Sequence, residues 1–168
     1  MKKLIYLLIS ASILLNSCAK DTYYIPAPDI NETGGGASSK ALENTKWKLT
    51  AETSLIEGDG PNYTRNDFLE YDECELDDIV IYKPNSIVAM DQGAEKCFSS
   101  DPQLADVGTW TLSADQKTLT IKGTDGNVFD LTFKATVLQL DATTLKYQYF
   151  YIINNVKTTT TSTYTKVN

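Results

Sequence analysis

The 168-residue sequence contains no histidine. Histidine exchanges protons near neutral pH, partners the nucleophilic serine or cysteine of many hydrolases, and is a common zinc ligand. Its absence excludes the Ser-His-Asp and Cys-His catalytic arrangements and the usual zinc sites. Because no other nucleophile motif is present, the sequence predicts a protein that is not an enzyme and that needs neither a metal nor a cofactor.

Basic side chains are also scarce. The chain has 15 lysines and arginines against 22 aspartates and glutamates, and its net charge is -7 at pH 7. Binding to a phosphate backbone needs a basic face, and the sequence shows none. Nucleic acid is therefore not an expected partner.

The apolar run at the start of the chain is too short to cross a bilayer. It covers residues 4–15, behind Lys2 and Lys3. An apolar core of about a dozen residues matches that of a secretory signal, whereas a spanning helix needs about 20 residues. Residues 1–17 are therefore predicted to be a signal peptide.

The next residues, "LLNSCA", resemble the lipobox of bacterial lipoproteins, with Leu15 three places before Cys18 and the small Ser17 directly before it. The resemblance implies that the Cys18 thiol carries a diacylglyceryl group and that its new amine is acylated, for example with palmitate. Two or three acyl chains, at about 0.8 kcal/mol per buried methylene, hold a protein firmly on a membrane. Ala19 stands where an aspartate would retain the protein in the inner membrane, which implies an outer-membrane lipoprotein facing the periplasm or the cell surface. The alternative is an ordinary signal peptide in which Cys18 has no role.

Residues 18–40 are predicted to be the lipidated cysteine and a flexible tether. They contain two prolines, three consecutive glycines and small polar residues, with too few apolar positions for a core. The remaining residues, 41–168, are enough for one domain with a single hydrophobic core.

Cys74 and Cys97 are an even pair in an exported protein. Residues 78–82 and 87–91 are predicted to form a hairpin whose turn lies midway between the two cysteines. Folding at that turn brings Cys74 and Cys97 together at the open end of the hairpin, which predicts a disulfide. The alternatives are a redox pair or a metal site, but the spacing lacks the CxxC pattern and no other soft ligand is present.

From residue 41 onward, apolar and polar residues alternate with a period of two, as in half-buried strands. Trp47, Leu49 and Ala51 are predicted to share the inner face of the first strand. A polar loop is expected over residues 54–67 and a short helical turn within residues 66–76. Further strands are predicted at residues 78–82, 87–91, 107–112, 117–122, 128–140, 143–153 and 157–167.

About eight strands in sequential antiparallel order predict an all-β protein that closes into an up-and-down barrel, since closure removes exposed strand edges. A seven-stranded open sandwich is the alternative architecture.

The order of motifs from Trp47 onward resembles the lipocalin-like domains of Gram-negative lipoproteins: "WKL", then "CELDDIVIY" leading into the hairpin, "GAEKC" closing it, and "GTWTL". This resemblance implies a lipocalin-like barrel. In the wider lipocalin superfamily an early tryptophan lies at the closed end of the barrel, under a basic residue of the last strand. Trp47 and Lys166 occupy these places, with Thr45 where a glycine is usual, so the resemblance implies that they form the barrel floor.

Tyrosines of the strand predicted at residues 143–153 are candidate ligand contacts. Tyr147, Tyr149 and Tyr151 alternate onto one face, which would line a barrel, and Trp110 joins them from the strand at residues 107–112. Aromatic rings with a few polar groups suit a small-molecule site. The alternative is that these side chains fill the core of a small barrel.

The segment "DFLEYDECELDD", residues 67–78, is the most acidic part of the chain. Its spacing matches no EF-hand loop, and it is interpreted as a solvated acidic face.

Two functions are compatible with these features. In the first, a membrane-anchored, non-catalytic lipoprotein binds a small, largely apolar ligand in the mouth of the barrel. In the second, the barrel is filled and the acidic loops contact another protein of the cell envelope.

Overall fold

The structure is a computed structural model that describes residues 39–124 and 132–168. Cys18, the tether up to residue 38 and the start of the strand predicted at residues 128–140 lie outside these ranges. Two 3-10 turns, Asp67–Glu70 and Pro84–Ser86, and one short helix, α1 (Glu73–Leu76), accompany the strands. The strands are β1 (Thr45–Glu57), β2 (Tyr63–Asn66), β3 (Ile79–Lys83), β4 (Ile87–Asp91), β5 (Leu104–Leu112), β6 (Thr118–Gly123), β7 (Thr132–Leu140), β8 (Thr144–Ile153) and β9 (Val156–Val167).

The strands form a closed antiparallel barrel. Strands β3 to β9 pair with one another in sequence order. The first residues of β1 pair with β3, and its other edge pairs with β9 from Lys46 opposite Val167 to Glu57 opposite Lys157. Strand β2 pairs with the second half of β1 and is additional to the eight barrel strands. The predicted eight-stranded up-and-down barrel is therefore confirmed.

Strand β1 departs from the prediction in its length and in its inner face. A register shift between Leu49 and Ala51 marks a bulge in the ladder with β9. An extra residue in one strand exchanges its two faces, so Ala51 is exposed while Glu52 and Ser54 are buried. The prediction that Ala51 faces inward is thus wrong, and β1 continues to Glu57, into the region predicted as a loop.

The apolar core fills the end of the barrel where β1 begins. The indole of Trp110 meets the ring of Tyr82 edge to face, with 5.4 Å between the centroids. A gap of only about 20 Å³ remains among the apolar side chains around Tyr82 and Phe133, room for about one water molecule. The largest fully buried apolar side chains are Trp47, Tyr82, Leu42, Leu112, Leu119 and Leu145.

The chain enters the barrel at this filled end. The amide of Ser39 donates to the carbonyl of Leu112 (2.7 Å), and that of Asn44 donates to Tyr82 (2.8 Å). Leu42, between them, is fully buried. We call this end the floor and the opposite end, where β1 and β8 finish, the mouth.

The residues between β2 and β3 cross the mouth. They contain the first 3-10 turn, for which Asn66 is the N-cap, and the helix α1. The predicted short helical turn is confirmed, and we call residues 67–77 the cap segment. No helix in the described residues is long and apolar enough to cross a membrane.

Candidate functional site

A cavity of about 450 Å³ lies at the mouth, between the long strands and the cap segment. We call it the mouth pocket. The strands that line it contribute inward-facing side chains beyond the bulge in β1, and the cap segment contributes the side chains above them. Its lining residues are Glu52, Ser54, Arg65, Asp67, Glu70, Tyr71, Glu75, Tyr149, Tyr151 and Thr160.

The pocket exists because the inward side chains of β1 and β9 change along the barrel from large aromatic residues to short hydroxylated ones. Near the floor these strands place Trp47 and Tyr164 in or against the core. Beyond Glu52, toward the mouth, the next inward side chains are the short Ser54 and Thr160, whose hydroxyls lie 2.9 Å apart. Short hydroxylated side chains cannot fill a barrel of eight strands, so space remains in front of them.

Glu52 forms the base of the pocket and is 9% exposed. The hydroxyl of Tyr71 donates to its Oε1 atom (2.7 Å), and the hydroxyl of Ser162 donates to its Oε2 atom. The ion pairs found among the described residues do not include Glu52. This buried carboxylate is therefore held by two neutral donors, one from the cap segment and one from β9.

Arg65 and Asp67 form an ion pair on the β2 side of the pocket, in which the Arg65 Nε atom donates to an Asp67 carboxylate oxygen. The hydrogen bond and charge of Asp67 raise the pKa of Arg65 above its ordinary value. The Asp67 side chain is 12% exposed, whereas the Arg65 side chain is 53% exposed. The arginine charge is thus directed toward Asp67.

Two tyrosines of the pocket remain neutral far above physiological pH. Burial raises the pKa of Tyr71 well above its ordinary value, and the hydrogen bond to Glu52 raises it further. Burial also raises the pKa of Tyr149, and the charge of Glu52 adds to that effect. Both phenols can consequently donate hydrogen bonds, and both side chains line the cavity.

The four aromatic residues predicted as ligand contacts divide into two pairs. Tyr149 and Tyr151 line the mouth pocket. Tyr147 lies deeper, with its ring stacked on Tyr164 (centroids 5.5 Å apart) and its hydroxyl donating to the Tyr164 hydroxyl (3.0 Å). Trp110 is also in the core, where its Nε1 atom donates to the Lys83 carbonyl (3.2 Å). The deeper pair fills the barrel, and the outer pair faces the cavity.

None of the other eight lining residues was among the predicted contacts. Glu52 and Ser54 fall at inward positions only because of the bulge, and Arg65 is on the unpredicted strand β2. Asp67, Glu70 and Glu75 belong to the segment interpreted as a solvated acidic face, but they also line the cavity. Only their concentration in one segment beside a barrel mouth could have indicated a site.

A disulfide between Cys74 and Cys97 confirms the predicted bridge, with the Cα atoms 5.2 Å apart. It joins α1 to the loop that follows β4. The Asp77 carboxylate strengthens the same connection by accepting from the amides of Ala94 (2.6 Å) and Glu95 (3.0 Å). Gly93 has a φ of +59°, and a Cβ atom there would lie 2.4 Å from Asp77. The C-terminal end of the cap segment is therefore fixed to the loop between β4 and β5.

Trp47 is 1% exposed at the floor, and its Nε1 atom donates to the Thr45 hydroxyl (2.7 Å). Lys166 lies directly opposite it on β9, with an exposed side chain. The cation–π contact found among the described residues lies elsewhere, between Lys157 and Phe150. The Lys157 Nζ atom is 5.6 Å from the centroid of the Phe150 ring.

In the parts of the chain that the structure covers, no group of three or more acidic or cysteine side chains is arranged to hold a metal ion. The pocket carboxylates are therefore assigned no metal.

Residues 44–147, more than half of the chain, match the family profile described as a lipocalin-like domain. No curated protein matches the sequence. Among solved structures, a tryptophan-to-alanine mutant of the vaccine antigen transferrin binding protein B from Haemophilus parasuis Hp5 is similar, with a TM-score of 0.37 and 11% sequence identity. The alignment covers 78% of this chain and 29% of that protein, so the chain spans less than a third of its length.

Proposed function

Because the chain belongs to the lipocalin-like domain family and forms a closed barrel with a cavity at its mouth, we propose that it is a non-catalytic binding protein that holds a small polar ligand in the mouth pocket. The observation that carries this proposal is the contrast between the two ends of the barrel. The mouth contains a cavity of about 450 Å³, whereas the apolar interior leaves about 20 Å³.

The size of the mouth pocket suits a small molecule, since ligand pockets in proteins range from about 300 to 1,000 Å³. The disulfide and Asp77 hold the cap segment in place at one end. Near the middle of the segment, the Tyr71 hydroxyl donates to Glu52. A cavity whose walls are fixed before binding loses little conformational entropy when a ligand enters.

The lining favours a polar ligand over the largely apolar one expected from the sequence. Of the lining residues that the structure describes, none is aliphatic, and four are carboxylates. An apolar molecule would cover these groups without replacing their hydrogen bonds to water, which is costly. The apolar half of the barrel, which would suit such a molecule, is already filled by Tyr147, Trp110 and their neighbours.

We place this binding protein at the outer membrane, anchored through lipidated Cys18. The entry of the chain at the floor supports this arrangement, because Ser39 is hydrogen-bonded to Leu112 at the end opposite the pocket. A tether that leaves from the floor allows the mouth to face away from the membrane, toward the periplasm or the cell exterior. The pocket is then accessible to molecules in solution.

Native mass spectrometry of the protein recovered from its own host tests the proposal. A bound small molecule is expected in the wild type, and it should be absent from Thr160→Phe, which places a ring in the pocket. Thr161→Phe is the matched control, because the next residue along β9 faces outward, where its hydroxyl accepts from Gln148 (3.0 Å). Equal ligand content in both variants, or no ligand in the wild type, would contradict the proposal.

Binding to another protein of the cell envelope is a second candidate function. Two large apolar side chains favour it: Leu69, on the cap segment, is 75% exposed, and Phe98, next to the disulfide, is 68% exposed. Changing both to serine should abolish such an association and leave ligand content unchanged. Cross-linking in intact cells, with the wild type as reference, measures the association.

A further inference from the structure

We infer that the ligand of the mouth pocket is a small organic cation, with an ammonium, trimethylammonium or guanidinium group directed toward Glu52. This inference rests on the proposed function and adds the chemical class of the ligand. The cavity locates the site. The charge and the aromatic side chains of its lining indicate which class of ligand it binds.

The charge of the lining is strongly negative. Four carboxylates face the cavity with a single cationic side chain, Arg65. Arg65 is directed to Asp67 by their ion pair, so that its charge offsets only one of the four. Glu52, Glu70 and Glu75 therefore give the cavity a negative potential, which attracts cations and repels anions.

Glu52 is the most specific indication of a cation. A carboxylate that is about nine-tenths buried loses most of its hydration, and such groups are normally paired with an opposite charge. Here each carboxylate oxygen accepts one hydrogen bond from a neutral hydroxyl, of Tyr71 or Ser162. Each oxygen can accept at least one more bond. A cation in the pocket would supply both the missing charge and the missing donors.

Aromatic walls complete a site for an organic cation. Tyr149 and Tyr151 face the cavity from β8. The Tyr149 ring is held by stacking on Phe133, with the centroids 4.8 Å apart. A cation over a tyrosine face gains about 0.5–2 kcal/mol, depending on how far it is desolvated. Carboxylates combined with tyrosine faces suit an organic cation better than a bare metal ion, which would need several converging oxygen ligands.

Isothermal titration calorimetry of the mature protein in nanodiscs tests the inference with choline and its uncharged carbon isostere, 3,3-dimethylbutan-1-ol. The two probes have the same shape and differ in charge. Agmatine and putrescine supply a guanidinium and primary ammonium groups, while glucose and succinate represent neutral and anionic molecules. At least one cation should bind with one-to-one stoichiometry. If it is choline, the isostere should bind at least about tenfold more weakly, a difference of about 1.4 kcal/mol.

Variants of three glutamates identify the pocket as the site. Glu52→Gln should weaken cation binding about tenfold or more, because it removes the desolvated charge. Glu75→Gln should weaken it about threefold, since that carboxylate is more exposed. Glu73→Gln, on the same short helix but outside the lining, is the control and should have no effect. If Glu52→Gln does not fold, the comparison of Glu75→Gln with Glu73→Gln still decides the matter.

Two results would overturn the inference. One is measurable choline binding that the isostere matches in affinity. The other is the absence of binding by all three cations. Binding of glucose or succinate alone would leave the proposed function in place with a different ligand class, whereas the proposed function fails separately if the protein from its own host carries no bound ligand.

Discussion

Trp47 and Lys166 lie directly opposite each other on β1 and β9, the two strands whose pairing closes the barrel. Trp47 is buried in the core at the floor, and Lys166 is exposed at the rim of the floor. The first and last strands of the domain thus meet at its most buried tryptophan, so the integrity of the floor depends on both ends of the domain.

Replacing the two residues should therefore have very different effects. Trp47→Ala should cost about 3–5 kcal/mol through lost burial and the resulting cavity, a large part of the 5–15 kcal/mol typical of a domain. Lys166→Ala should cost about 0.5 kcal/mol or less, because the side chain is exposed. Urea unfolding measures both. Deleting the residues from Thr163 onward should be nearly as damaging as losing the indole, and an unchanged midpoint in the truncated protein would show that β9 does not close the barrel.

The disulfide should contribute measurably to stability. Cys74 and Cys97 are 23 residues apart in sequence, and closing a loop of this size is worth about 3 kcal/mol in the chain-entropy model. Reduction should lower the melting temperature, and the native domain should show no free thiol in a Cys18→Ala background until it is reduced. Two reactive thiols in the native, unreduced domain would contradict the assignment.

Asp78, directly after the cap segment, should make stability depend on pH. Burial raises its pKa to about 6, and the neighbouring charges of Asp77, Glu75 and Asp91 contribute. Because the folded state holds this proton more tightly than the unfolded state, stability is highest at low pH and falls as the pH rises from about 4 through 6. At pH 7.5, Asp78→Asn should melt at a higher temperature than the wild type, because its free energy of unfolding should be larger by on the order of 1 kcal/mol or less after solvent screening. Near pH 4 the two proteins should melt at the same temperature.

Asp141 is the control of opposite sign for that experiment. Its carboxylate accepts from the Gln139 side chain and from the amides of Thr143 and Thr144, which lowers its pKa to about 2. It therefore stabilises the β7–β8 turn above pH 4, and this contribution is lost as the pH falls toward 2. Asp141→Asn should melt at a lower temperature than the wild type at pH 7.5. The account of both carboxylates is wrong if the two variants shift the melting temperature in the same direction there.

The anchor is tested by cell fractionation. Cys18→Ala removes the thiol that the lipobox resemblance assigns to lipidation. The variant should leave the membrane fraction or remain an uncleaved precursor. Persistence in the outer membrane after a carbonate wash would exclude Cys18 as the anchor.

The sequence predicted the barrel because most of its strands alternate apolar and polar residues. Five strands, β3, β4, β6, β8 and β9, lie within one residue of their predicted bounds. The bridge was predictable because the turn at Pro84–Ser86 lies midway between the cysteines. The fold was therefore predictable, because it follows from patterns that a single sequence displays.

The mouth pocket was less predictable, because its residues do not follow this alternation. Its strand residues Glu52, Ser54 and Thr160 are polar but face inward, and polar residues in a strand normally indicate the solvent side. The bulge after Leu49 exchanges the faces of β1 without any glycine or proline to signal it. Strand β2 has four exposed residues and no alternation. Of the predicted ligand contacts, only Tyr149 and Tyr151 of β8 line the pocket.

The most direct test of the account is a map of amide and indole chemical-shift changes by NMR, recorded as small molecules extracted from the host are added to the isotope-labelled domain. The account predicts changes at Glu52, Tyr71, Tyr149 and Tyr151 around the mouth pocket. The indole signals of Trp47 and Trp110, in the filled end, should not move. Shifts centred on the two tryptophans would place the ligand inside the barrel and contradict the account, as would the absence of any change at the mouth.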